Sequence, residues 1–172
     1  MQHLKDKSIF KIALVFSIIL IIQSCSINYS FTGAPITAKT ISIDFFPNKS
    51  SLVKPSLSQD LTDALRDKFV NQTSLELVEQ DAELHLEGEI VSYGTNSVAI
   101  QGDETAALNR LTITVNVRFT NTEKEEDSFE KTFSGFEDYN ADLSFSSVED
   151  RLIEVINKRL VEDIFNKALV NW

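Results

Sequence analysis

From Thr40 the chain alternates, with Thr40, Ser42 and Asp44 polar and Ile41, Ile43 and Phe45 apolar. A period of two predicts a strand with one buried face, so Ile41, Ile43 and Phe45 are expected to point inward. Pro47-Asn48-Lys49-Ser50 breaks that pattern, and Ser56 and Gln59 then stand at capping-box spacing at the head of a helix. Leu57, Leu61, Ala64, Leu65 and Phe69 recur at steps of three and four, opposite Asp60, Asp63, Arg66 and Asp67, which predicts an amphipathic helix ending near Asn71. Residues 75–78 make a short strand candidate. Residues 82–93 alternate strongly, with Leu84, Leu86 and Ile90 on one side and Glu83, His85, Glu87 and Glu89 on the other. A second long strand covers 111–119, where Ile113, Val115 and Val117 alternate with Thr112, Thr114, Asn116 and Arg118. The charged turn 123–127 leads to 129–133 and closes a hairpin. Ser146 and Glu149 form another capping-box spacing, opening the longest element, whose stripe is Val148, Leu152, Ile156, Leu160, Ile164 and Ala168.

The order strand, helix, several strands, helix predicts an α+β fold. Two amphipathic helices cover one face of a mixed, largely antiparallel sheet as a two-layer sandwich. The stretch 94–109 joins the two long strands and holds Val98, Ala99 and Ile100 beside Gln101-Gly102-Asp103-Glu104. It is too apolar for a routine linker, and reads as an extension of both strands to a turn at 101–103 or as a functional tip, the two being compatible.

Ahead of this domain, Lys5, Lys7 and Lys11 make a positive stub and residues 12–22 an almost unbroken apolar run. That is the layout of an export signal, whose apolar core needs only ~7–15 residues, and it is short of the ~20 that span a bilayer. The run closes on Ile22-Gln23-Ser24-Cys25, and Cys25 is the chain's single cysteine. The tetrapeptide resembles the lipobox of bacterial lipoproteins. Residues 1–24 are therefore expected to be a cleaved signal peptide, Cys25 the lipidated first residue, 25–39 a tether and 40–172 a single domain. Each buried acyl methylene contributes ~0.8 kcal/mol, so several chains would anchor the protein firmly. The neutral Ser26-Ile27-Asn28 carries no acidic cluster, which favours the periplasmic side of the membrane.

The formal net charge is −10, and loss of residues 1–24 makes the remainder more acidic still. Such a balance argues against nucleic acid as a partner, because phosphates are neutralised by Lys and Arg, and against charge-driven adsorption to an anionic membrane. With its one thiol expected to carry lipid, the chain has no intrachain disulfide to stabilise it, and packing must do so. Catalysis finds little support: His85 is the one histidine after residue 24, and no glycine-rich phosphate loop or nucleophile elbow occurs. His85 with Glu83, Glu87 and Glu89 reads as a solvated strand face, and the acidic turn 123–127 as a hairpin tip. No cofactor, metal site or enzymatic role is expected.

The succession of the lipobox, Tyr29-Ser30-Phe31-Thr32-Gly33, Ile41-Ser42-Ile43-Asp44-Phe45-Phe46-Pro47-Asn48, the long run Val98 to Val117, Ser147-Val148-Glu149-Asp150 and Asn171-Trp172 resembles the LptE family of lipopolysaccharide-assembly lipoproteins in its Bacteroidota form. The resemblance implies a protein anchored in the inner leaflet of the outer membrane. It would plug the large LptD β-barrel, help it assemble and help lipopolysaccharide reach the outer leaflet. It also implies contact with lipopolysaccharide through basic residues near the strand-connecting tip. This chain departs from that pattern, since its tip carries Asp103 and Glu104. Ile100, Gln101 and Arg110, the cation nearest the tip, are the candidate contact residues for barrel or lipopolysaccharide. The competing expectation is a lipid-anchored scaffold subunit of another envelope assembly machine, since fold does not dictate function.

Overall fold

The computed structural model describes residues 37–52, 54–98 and 107–169, all within one unit of the chain, Thr32–Trp172. Their elements are β1 (Thr40–Ile43), α1 (Pro55–Gln72), β2 (Glu76–Leu77), β3 (Leu84–Val98), β4 (Leu108–Asn121), a 3-10 turn (Glu125–Asp127), β5 (Phe129–Asn140) and α2 (Phe145–Leu169). The five strands form one sheet in the order β2-β1-β3-β4-β5. β1 runs parallel to both β2 and β3, whereas β3, β4 and β5 form an antiparallel meander. The parallel β1 and β2 are joined through α1, the crossover that parallel strands require. The result is the two-layer α+β sandwich that the periodicity predicts.

Each helix buries its predicted stripe except Ala64 and Val148, which are half-buried against it. Leu57, Leu61, Leu65 and Phe69 of α1, and Leu152, Ile156, Leu160, Ile164 and Ala168 of α2, lie in one core with Leu84, Leu86, Ile90, Leu111, Ile113, Val115, Val117 and Phe119 of the sheet. Lys54 sits against Glu149 and Asp150, while Lys68 pairs with Glu162. The two helices therefore run side by side in the same direction, and the Phe69 and Phe165 rings meet edge-on at 5.1 Å.

Both capping boxes are redirected. α1 starts at Pro55, a residue suited to the first helical position because its missing N–H has no intrahelical use there, and its N-cap Lys54 makes no side-chain cap. Gln59 donates to Asp63 at 2.7 Å instead of reaching back. In α2, Phe145 is already helical, so Ser146 is no cap. Glu149 instead accepts from Lys54 Nζ at 3.0 Å and from the Tyr93 hydroxyl, tying both helix starts to β3. Burial, with Glu149 as hydrogen-bond acceptor, pushes the Tyr93 hydroxyl well above its ordinary pKa.

Phe45 corrects an expectation. It is 50% exposed, and Phe46 is fully buried in its place. Regular pairing of β1 ends at Ile43; the chain detours through Asp44 and Phe45 and rejoins β3 where Asn48 bridges Ile90. The Phe46 N–H donates to Thr62 Oγ1 of α1 at 3.0 Å. Its ring lies over Gly88, where a Cβ would stand 2.5 Å from Phe46 Cε1 and 2.3 Å from the Asn116 carbonyl oxygen. A second break in alternation falls in β3, where the register shifts between Ile90 and Ser92. This bulge changes which parity faces inward, so Tyr93 is buried while Ser92 is exposed.

Two glycines of β3 give a matched test. Gly88→Ala, which must displace Phe46 or the β4 backbone, is expected to destabilise the protein by about 1–3 kcal/mol. Gly94→Ala meets nothing within 4 Å and is expected to be neutral or stabilising by up to about 1 kcal/mol, both read by urea unfolding.

Candidate interaction surface

Alternation leaves the sheet face opposite the helices to polar side chains. Along its centre Thr114 Oγ1 meets Ser134 Oγ at 3.1 Å and Thr132 Oγ1 donates to Asn116 Oδ1 at 2.7 Å. These are cross-strand pairs of β4 and β5 in direct register, and their mutual bonding holds a neutral, hydroxyl-rich band in fixed positions.

An arginine closes the band at each end. Arg110 donates from Nε and Nη2 to the two Asp138 oxygens at 2.6 and 2.8 Å, and its guanidinium lies 3.9 Å from the centre of the Phe136 ring. The fork geometry suits a carboxylate, and cation–aromatic contact adds to it. Asp138, bonded to that guanidinium, is held below the usual carboxylate range, and Arg110 is raised in turn. At the other end Arg118 bridges Glu87 and Glu130, both at 3.1 Å. Beside it, His85 Nδ1 lies 2.6 Å from Ser42 Oγ and Nε2 lies 3.6 Å from Asp44, so His85 is a bonded, half-buried group. Asp44, His85 and Glu87 could each turn one ligand atom to a cation, these atoms lying within 4.8 Å of one another. Glu87, however, is already engaged by Arg118.

Of the expected site residues, Arg110 lies in β4 beside the tip, paired within the sheet. Cys25, Ile100 and Gln101 lie outside the described residues. β3 and β4 do extend toward the tip, remaining paired as far as Val98 and Leu108. Asp138 and Phe136, which define the setting of Arg110, escape a reading that ends the last strand at Phe133. The continued alternation of Ser134, Phe136 and Asp138 with Gly135, Glu137 and Tyr139 carries that signal. The acidic hairpin turn is solvent-exposed, and buried Asn121 organises it, its Oδ1 accepting the Glu123 and Lys124 N–H groups at 3.0 Å. Among the described residues no helix is long and apolar enough to cross a membrane.

A family model for LptE, lipopolysaccharide assembly, matches residues 38–168, which is nearly all of the sheet and both helices. The chain belongs to the LptE family. Similar folds occur in a hypothetical protein, CT253, from Chlamydia trachomatis (TM-score 0.53, 9% identity, covering 76% of this chain and 95% of that one). A minor lipoprotein from Acinetobacter baumannii (TM-score 0.46, 15% identity, 78% and 98%) and rare lipoprotein B from Shewanella oneidensis (0.44, 14%, 75% and 90%) also align. Comparison with curated proteins finds no significant match.

Because the pair lowers the Asp138 pKa, its contribution to stability is fully present above the ordinary aspartate value of about 3.9 and is lost as pH falls through the lowered folded-state value. Carboxyl-carbon NMR titration is expected to place the Asp138 midpoint below the ordinary range. In Arg110→Gln that midpoint should return toward it.

Proposed function

We propose that this LptE-family protein is a non-catalytic, lipid-anchored plug and assembly partner of an LptD-type outer-membrane β-barrel, supporting delivery of lipopolysaccharide to the outer leaflet. The family match over 38–168 carries the reading. In this reading residues 1–24 are removed, Cys25 bears the lipid, 25–39 is the tether and 40–172 the plug, held on the periplasmic side of the outer membrane.

The physical form supports it. The lumen of a large barrel is polar, and a plug must offer a polar surface of fixed shape. The open sheet face does so, with hydroxyl and amide groups already paired to one another and each arginine balanced by acids. Pairing each arginine with acids inside the face limits the cost of excluding water from those cations, while Glu89 beside them makes no ion pair with another described residue. Barrel contact and lipopolysaccharide contact are assigned to the tip, with Ile100, Gln101 and Arg110 as contact residues. Arg110 would have to exchange Asp138 for a lipid phosphate, a substitution of one bidentate acceptor for another.

Tagged full-length protein, extracted from outer membranes in mild detergent and passed through a sizing column, is expected to carry a stoichiometric LptD-type barrel. Recovery alone, or with an unrelated envelope machine, would overturn the plug reading and favour the scaffold alternative. Cys25→Ser is expected to abolish incorporation of labelled palmitate, and Arg110→Glu to reduce lipopolysaccharide delivery at unchanged barrel level; unchanged delivery would remove Arg110 from the contact set.

A further inference from the structure

The helix layer carries a feature unlike the paired arginines and hydroxyls of the sheet face. Between α1 and α2, on the side away from the sheet, runs a groove of ≈800 Å³. Its walls include Ile153, Asn157 and Val161, one residue per turn of α2. Asn157 is only 6% exposed, and its Oδ1 has no hydrogen-bond partner; among the described residues it is the one buried side-chain oxygen or nitrogen left so. A buried unsatisfied acceptor costs about 1–3 kcal/mol, a penalty that a donor brought by a ligand removes. Along the rim stand Asp60, Asp67 and Glu154, none of which makes an ion pair with another described residue. Of the two lysines that also line it, Lys68 is held by Glu162 and Lys158 alone is left to offset the three acids.

We propose that this groove docks a basic, amphipathic segment of a partner protein. Apolar side chains of that segment would pack on Ala64 and over the buried floor of Ile153 and Val161. Asn157, whose Oδ1 is shielded from solvent in the free domain, would turn its amide toward a donor from the segment, and flanking Lys or Arg would meet the acidic rim. Helix-in-groove recognition uses this combination of an apolar stripe and charged flanks. A second copy of this chain is disfavoured as the occupant, because its own charge is −10 and a twofold pairing would set acidic rim against acidic rim. An anionic lipid is repelled for the same reason. The inference stands apart from the barrel assignment, since it concerns the helix layer and names a partner by its chemistry.

The test uses the full-length protein in a neutral maltoside detergent. The probe is a fluorescent 18-residue helical peptide with leucines at helical spacing between lysines and glutamines, and anisotropy is corrected with empty micelles. Saturable binding is expected, together with its absence for the same peptide carrying Glu in place of Lys. The double reversal Asp67→Lys with Glu154→Lys, and Asn157→Leu, should each weaken binding at least tenfold, while Glu126→Lys at the distant hairpin turn leaves it unchanged. Asn157→Leu is also expected to raise the melting temperature by a few degrees, the mark of an acceptor kept for a ligand. Non-saturable binding, an equal response to Glu126→Lys, or full affinity in the double reversal would each overturn the proposal, whether or not a barrel co-purifies.

Discussion

The fold depends on sealing one apolar sheet face with only two helices. Five strands at ~4.8 Å spacing are about 19 Å across, and two helices ~10 Å in diameter cover about the same width, so the layers match with nothing to spare. α1 packs on β1 and β2 while α2 packs on β4 and β5, and Phe46 is laid over Gly88 in the central strand. Gly135 plays the complementary part under α2, where a Cβ would come within 2.8 Å of Ile156. The two glycines thus mark where the second layer approaches the sheet too closely for a side chain. Their role is steric at both places.

Sealing one face determines the character of the other. Strands of 15, 14 and 12 residues, alternating apart from the β3 bulge, put a long polar band on the uncovered side, and the antiparallel register brings its members opposite one another. The arginines at its ends are consumed by that same register: Arg110 faces Asp138 and Arg118 faces Glu130 across β4 and β5. A cation that looks available along the sequence is thereby neutralised in the fold. With an acidic tip sequence and Arg110 already paired, an anion approaching this end of the band must displace Asp138 from the guanidinium.

Periodicity made most of this fold legible, because burial on one face acts on every second residue of a strand and every third or fourth of a helix. The helical stripes and the inward set of β4 need no further information. The misplacements share one cause, a tertiary contact overriding a local rule. Phe45 gives way to Phe46 because the chain detours to reach Thr62 and Gly88. The β3 bulge brings Tyr93 to Glu149, which draws that glutamate away from its helix end. The parallel pairing of β1 with β3 is equally invisible to local pattern. At the candidate surface Arg110 was legible as a cation, but its compensation was not, since Asp138 lies 28 residues away in a strand whose length the alternation beyond Phe133 would have extended.

Asn157 is the point where these rules fail in the opposite direction. It occupies an apolar-facing helical position between Ile153 and Val161, where periodicity calls for a hydrophobe, and the fold supplies its oxygen with no partner. The Asn121 turn and the arginine pairs, by contrast, are satisfied inside the domain. Among the described residues Asn157 Oδ1 is the single buried side-chain oxygen or nitrogen without a partner, in the wall of a groove whose rim carries Asp60, Asp67 and Glu154. A leucine there would remove the acceptor while keeping comparable volume, so stability alone does not explain the asparagine. The same domain therefore offers two different surfaces: a sheet face whose arginines and central hydroxyl and amide groups are paired within it, and a helix groove whose buried acceptor waits for a partner.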